Sequence, residues 1–159
     1  NMITSKSNPV FGGVYKLVAV EENGQIIPKI KISNNIEKIT NPHFKKIFRI
    51  YDKYGKLITD IVSVYDENLP EGDLTLLHPN KDWIKKDIQN YKAVELRKKM
   101  MENGKVIYNF PTTKQTRDKV QNELSTLWEE ALRLQNPHTY ITNLSTKLQT
   151  IKNNLLKNI

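Results

Sequence analysis

The side chains able to do chemistry are few and scattered. The chain has three histidines, His43, His78 and His138. None stands three or four residues from a second histidine or a carboxylate on a helix-forming stretch, the spacing that sets two ligands on one helical face, so a zinc site is not expected. His78 and His138 each adjoin a proline and read as turn residues. Adjacent carboxylates occur at Glu21-Glu22, Asp66-Glu67 and Glu129-Glu130. The first two pairs fall near turns and the third on the polar side of a helix, so solvation is the expected role rather than acid–base work, which needs a buried carboxyl with a raised pKa. No G-x-S-x-G elbow is present to activate a serine. Gly12-Gly13 precedes a strand instead of opening a helix, and so does not build a phosphate cradle. Trp83 and Trp128 read as core anchors, since neither is interleaved with arginines in the manner of a base-stacking surface. No catalytic constellation emerges.

Composition narrows the classes further. The chain has 159 residues, 25 Lys plus Arg against 17 Asp plus Glu, a formal charge of +8 and no cysteine. Disulfides and thiolate chemistry are thereby excluded. Mean hydropathy is −0.59, and no stretch approaches the ~18 apolar residues of a membrane helix. Asn1 to Pro9 is polar and lacks the apolar region of a secretory signal. The positive balance invites a second reading, a basic β-rich nucleic-acid-binding module. Its basis is the short clusters at Lys29 and Lys31, Lys45 and Lys46, Lys85 and Lys86, and Arg97 to Lys99. These lie in strand-like runs where alternate positions face water, so a solvated sheet face is the preferred account.

The elements that would position these residues are legible from periodicity. Three hairpins are expected. The first runs Val14–Val20 and Gln25–Ile32 around Asn23-Gly24, with Pro28 marking an edge or bulged strand because it donates nothing to a ladder. The second runs Phe44–Tyr51 and Lys56–Tyr65 around Asp52 to Gly55. Phe44, Phe48 and Ile50 share a face there with Lys46 intruding, and Ile58, Val62 and Val64 share another. The third runs Ala93–Met101 and Lys105–Phe110 around Asn103-Gly104. Shorter strands are expected at Asp73–Leu77 and Trp83–Ile88. The period then changes. Thr112 with Gln115 has capping-box spacing. Val120, Leu124, Leu127, Trp128 and Ala131 form the stripe of a helix of about twenty residues. Asn136-Pro137 stops it. A second helix carries Leu144, Leu148, Ile151 and Leu155, with Asn143 as its expected cap. Strands first and helices last predict an α+β fold, a mainly antiparallel sheet built from three hairpins with two C-terminal helices packed on it.

Several stretches, taken together, resemble one family. Asn8-Pro9-Val10-Phe11-Gly12-Gly13-Val14-Tyr15-Lys16-Leu17-Val18-Ala19-Val20 is similar to the segment following the catalytic barrel of bacterial nicotinate phosphoribosyltransferases. So are Pro28-Lys29-Ile30-Lys31-Ile32-Ser33 and Lys38-Ile39-Thr40-Asn41-Pro42. Glu123-Leu124-Ser125-Thr126-Leu127-Trp128 and Asn136-Pro137-His138-Thr139-Tyr140 look like the same family's tail. The resemblance implies the C-terminal domain of such an enzyme, with 1–13 a linker from the barrel, 14–110 β-rich and 112–159 helical. It implies that the full-length enzyme joins nicotinate to phosphoribosyl pyrophosphate in NAD salvage. ATP hydrolysis would be coupled through a phosphohistidine, with ATP and magnesium used by the parent and none in this part. It further implies a cytoplasmic homodimer whose catalytic groups lie in the barrel of the same polypeptide. The family's Gly-x-Gly-Thr phosphate loop is not in this sequence, and Asn1-Met2-Ile3-Thr4-Ser5 looks like the stretch directly after that loop. None of His43, His78 or His138 stands in the phosphohistidine motif. No catalytic residue is therefore expected here. Thr4, Ser5 and Lys16 are the positions the resemblance would bring near substrate, as hydroxyls and an ammonium beside a phosphate.

Overall fold

Two Asn-Gly turns act as the sequence requires. Asn23 and Gly24 have φ of 52° and 75°, and Asn103 and Gly104 have 47° and 75°. Two successive positive φ values make the tight turn whose twist matches that of paired strands. In the computed structural model, which describes residues 12–81 and 83–157, the first turn joins β1 (Ala19–Glu22) to β2 (Gln25–Pro28). These arms are shorter than expected, and they form a separate two-stranded ribbon in which Pro28 sits at the open end opposite Ala19.

The main sheet starts with β3 (Lys45–Tyr51) and β4 (Leu57–Val64), an antiparallel pair in register from Lys45↔Val64 to Ile50↔Thr59. Asp52 shapes their turn. Its side chain accepts from the backbone N–H of Tyr54 and Lys56, both at 2.8 Å, and Gly55 takes a φ of 79° that a Cβ would oppose. Then come β5 (Leu74–Leu77), β6 (Lys85–Ile88) and β7 (Lys92–Glu95). The third expected hairpin splits: β7 joins the main sheet, while β8 (Met101–Glu102) and β9 (Lys105–Val106) make a two-residue ribbon of their own.

The tail is not uniformly helical. Helix α1 (Thr113–Thr126) carries the full capping box of Thr112 and Gln115, and it ends earlier than the apolar stripe predicts. Ser125 and Thr126 hydroxyls turn back onto the carbonyls of Asn122 and Glu123, each at 2.7 Å, a local alternative to continued helix. Lys56 Nζ then donates to the freed carbonyl of Ser125 at 3.0 Å. Leu127 and Trp128 are extended, and α2 (Glu129–Leu132) is one turn. Strand β10 (Thr142–Leu144) follows, then α3 (Thr146–Lys157). Asn143 is thus a strand residue and not the cap. Ser145 caps α3, its Oγ accepting from Leu148 N at 3.2 Å.

The sheet order is β6-β5-β10-β4-β3-β7, antiparallel except where β10 lies parallel to β4. The two edge strands are consecutive in the chain, four Cα steps apart from Ile88 to Lys92. Four steps reach about 14 Å, whereas a flat six-stranded sheet would hold its edges about 24 Å apart. The sheet must therefore curl. Its concave face buries Ile50, Ile61, Leu74, Leu76 and Ile88, with Phe48, Leu69 and Tyr91 against them. The opposite face takes α3: Val64, Leu144 and Leu148 are buried together with Val62 and Ile151 beside them. The architecture is α+β, as the order of periods predicts.

Two expectations about single residues change. Trp83 and Trp128 are not core anchors, being 77% and 48% exposed. The stripe of α1 is likewise uncovered, with Val120 and Leu124 exposed and no residue of that helix buried.

Candidate functional site

One end of the curled sheet opens into a cavity of about 400 Å³. The start of β4 supplies Leu57 and Ile58, the end of β5 Leu76 and His78, and the start of β6 Ile84, Lys85 and Lys86. Trp128, Glu130 and Ala131 close one side, and His138 to Ile141 another. The cavity thus gathers the two proline-flanked histidines that the sequence leaves 60 residues apart.

The wall carrying His78 is pinned on three sides. Its backbone N–H donates to Ile84 O at 3.1 Å, and its Nδ1 accepts from Asn80 N at 3.1 Å. The neutral ring therefore carries its proton on Nε2. Lys152, buried on α3, donates to Pro79 O at 2.9 Å. The wall carrying His138 is held by its own N–H donating to Glu130 O at 2.8 Å, after Asn136 turns the chain with a φ of 49°. The polar groups of the floor satisfy one another: Thr59 Oγ1 donates to Ile141 O at 2.7 Å, and Asn143 Nδ2 donates to Thr59 Oγ1 at 2.8 Å. Glu130 pairs with Arg133 at 3.5 Å. The side chains of Lys85 and Lys86 form no hydrogen bond or ion pair among the described residues.

Beside the cavity lies a charge network that sequence reasoning missed. Arg49 forks onto Asp60, Nε to Oδ1 at 3.0 Å and Nη2 to Oδ2 at 3.2 Å, and its Nη1 reaches Glu123 of α1 at 2.9 Å. The hydrogen bond to Asp60 holds the guanidinium charged well above the ordinary arginine range, against the opposing effect of burial. Burial, followed by the charge of Asp60, pushes the Tyr140 hydroxyl far above the usual tyrosine range. The signal was available: Arg49 and Asp60 face each other in the register that the Asp52–Gly55 turn sets. Glu123 could not be read this way, because it comes from another element.

Other charged groups serve the fold. Lys45 Nζ donates to the carbonyls of Asn41, Pro42 and His43 at 2.8, 3.3 and 2.6 Å. Burial draws its pKa below the usual lysine range. Lys46 is buried with its ammonium 5.1 Å from the Phe48 ring centre. Arg97 lies 4.8 Å over the Tyr65 ring, which stacks on Phe44, and pairs with Glu95. Two of the basic clusters are thus engaged with rings, carbonyls or carboxylates in place of a phosphate-tracking face. Glu67, in the second acidic pair, accepts from Val64 N at 3.1 Å and Ser145 Oγ at 2.6 Å. His43 Nδ1 donates to Phe44 O at 3.1 Å.

Of the positions expected near substrate, Lys16 is exposed, and Thr4 and Ser5 lie outside the described residues. Among the described residues no group of three or more His, Asp or Glu could hold a metal, and no helix is long and apolar enough to cross a membrane. The arrangement can bind an apolar body and present positive charge to it.

The fold is an α+β domain whose curled sheet opens into a cavity at one end. The family model described as "Nicotinate phosphoribosyltransferase C-terminal domain" matches residues 44–152, and the chain belongs to that family. It is 38% identical over 146 residues to nicotinate phosphoribosyltransferase of Bacillus subtilis, a match covering 91% of this chain and 30% of the relative. It is 32% identical over 151 residues to the Caenorhabditis elegans protein of the same name, covering 93% of this chain and 26% of that one. A crystal structure of human nicotinic acid phosphoribosyltransferase superposes with a TM-score of 0.74 at 29% identity, covering 91% of this chain and 27% of the human one. The chain spans about 30% or less of the length of these relatives.

Proposed function

We propose that this chain acts as the C-terminal part of an enzyme joining nicotinate to phosphoribosyl pyrophosphate, giving nicotinate mononucleotide and pyrophosphate in NAD salvage. The observation that carries this reading is the family match across residues 44–152 combined with coverage of only 30% of the Bacillus subtilis relative. The groups that move phosphate and ribose then belong to the rest of the polypeptide, a catalytic barrel on which this domain packs. ATP, magnesium and the ligase-type coupling of ATP hydrolysis belong there too. The enzyme works as a homodimer in the cytoplasm, and the 159-residue chain by itself is inactive. The apolar stripe of α1, bare at Val120 and Leu124, suits a face that packs against other protein. By order along the chain, Thr4, Ser5 and then Lys16 are the residues of this domain that we assign near the parent's phosphate-binding loop.

The test is a chimera in which this chain replaces the matched stretch of the Bacillus subtilis relative. Product formation from nicotinate and phosphoribosyl pyrophosphate is expected. A folded chimera that binds neither substrate contradicts the reading. In the active chimera, Lys16→Ala should raise KM for phosphoribosyl pyrophosphate, and an unchanged KM removes Lys16 from the site.

A further inference from the structure

We propose that the cavity at the end of the curled sheet binds a small amphipathic organic anion, a carboxylate on an apolar body of about six to ten carbons. This goes beyond the transferase reading and does not depend on it. Three observations carry it. The volume, about 400 Å³, is in the range of small-ligand pockets, about 300 to about 1,000 Å³. Its lining is aliphatic at the neighbouring ends of β4, β5 and β6, and the polar atoms of its floor, at Thr59 and Asn143, already bond to each other and to Ile141 O. An apolar body therefore enters without stranding a buried polar group. Among the described residues the charge at the cavity is one-sided. Lys85 and Lys86, successive on β6 and so on opposite faces of that strand, both line its rim without a carboxylate partner among the described residues, His78 adds an Nε2–H, and the one carboxylate among the described lining residues, Glu130, pairs with Arg133. A neutral apolar ligand would leave those ammonium groups unused, and a cation would be repelled.

Trp128 lines the cavity and is one of two tryptophans in the chain, the other being the exposed Trp83. In a Trp83→Phe background its fluorescence reports occupancy. Titration with octanoate should give a saturable change, and acetate should give none. Lys85→Gln together with Lys86→Gln should weaken octanoate about five- to tenfold while leaving 1-octanol, the uncharged control, unchanged. Ala131→Phe, filling the cavity, should abolish the octanoate response with the urea midpoint retained. The proposal is overturned by any of four results: no saturable response to octanoate, equal affinity for octanoate and 1-octanol, undiminished octanoate affinity in the lysine variant, or equal loss of both ligands in it.

Discussion

Arg49 is the residue on which most depends locally. Its side chain is 20% exposed and that of Asp60 13%, so the pair is largely out of water. Removing one partner leaves the other charge poorly solvated, which costs more than the pair itself contributes. Arg49→Met should lower stability by about 2 kcal/mol in urea unfolding, and adding Asp60→Asn should restore part of it. A loss below about 0.5 kcal/mol would place the fork among surface pairs of little consequence. Tyr140 gives a pH prediction from the same network. Burial and Asp60 raise its folded pKa above the ordinary value of 10.0, so the folded state holds this proton more tightly. That stabilisation is complete below pH 10 and is lost as pH rises from there toward the folded value. Thermal melts between about pH 9 and about pH 11 should show a smaller alkaline loss in Tyr140→Phe than in the parent. Equal losses would contradict it. At this scale the sequence was informative about turns and silent about contacts between elements. Asn23-Gly24 and Asp52 announce their geometry in residue type, whereas the placing of His78 and His138 at one cavity, and the meeting of Arg49 with Glu123, depend on tertiary placement.

The helices separate what periodicity can and cannot reveal. Both α1 and α3 carry apolar residues at helical spacing, yet only α3 buries them: Leu148 is 0% exposed and Leu124 42%. Leu148→Ala should cost about 3 kcal/mol through lost transfer energy and a cavity. Leu124→Ala should cost below about 0.5 kcal/mol in this chain. Equilibrium unfolding of the two variants checks this, and comparable losses would mean that α1 is packed. Periodicity predicts which face is apolar, but not whether anything covers it. It also overran the end of α1, because the stripe continues through Leu127 and Trp128 while Ser125, Thr126 and Lys56 end the helix by hydrogen bonding. Asn143 misled for a related reason. Residues 142–144 are few and polar-apolar-mixed, and only the open slot between β4 and β5 makes them a strand.

For the whole molecule, the three-residue link between β6 and β7 fixes the curl, the curl makes the concave core, and its open end makes the cavity. This closure was not legible from hairpins read one at a time, since it depends on which strands are edges. The family was legible, because its residues recur in order along the chain. In the proposed function, the transfer chemistry lies in residues outside this chain. The direct measurement is an assay of the purified 159-residue chain with radiolabelled nicotinate, phosphoribosyl pyrophosphate, ATP and magnesium. No nicotinate mononucleotide above the protein-free control is predicted. Product that scales with the amount of chain, and that disappears in His78→Ala or His138→Ala, would contradict it.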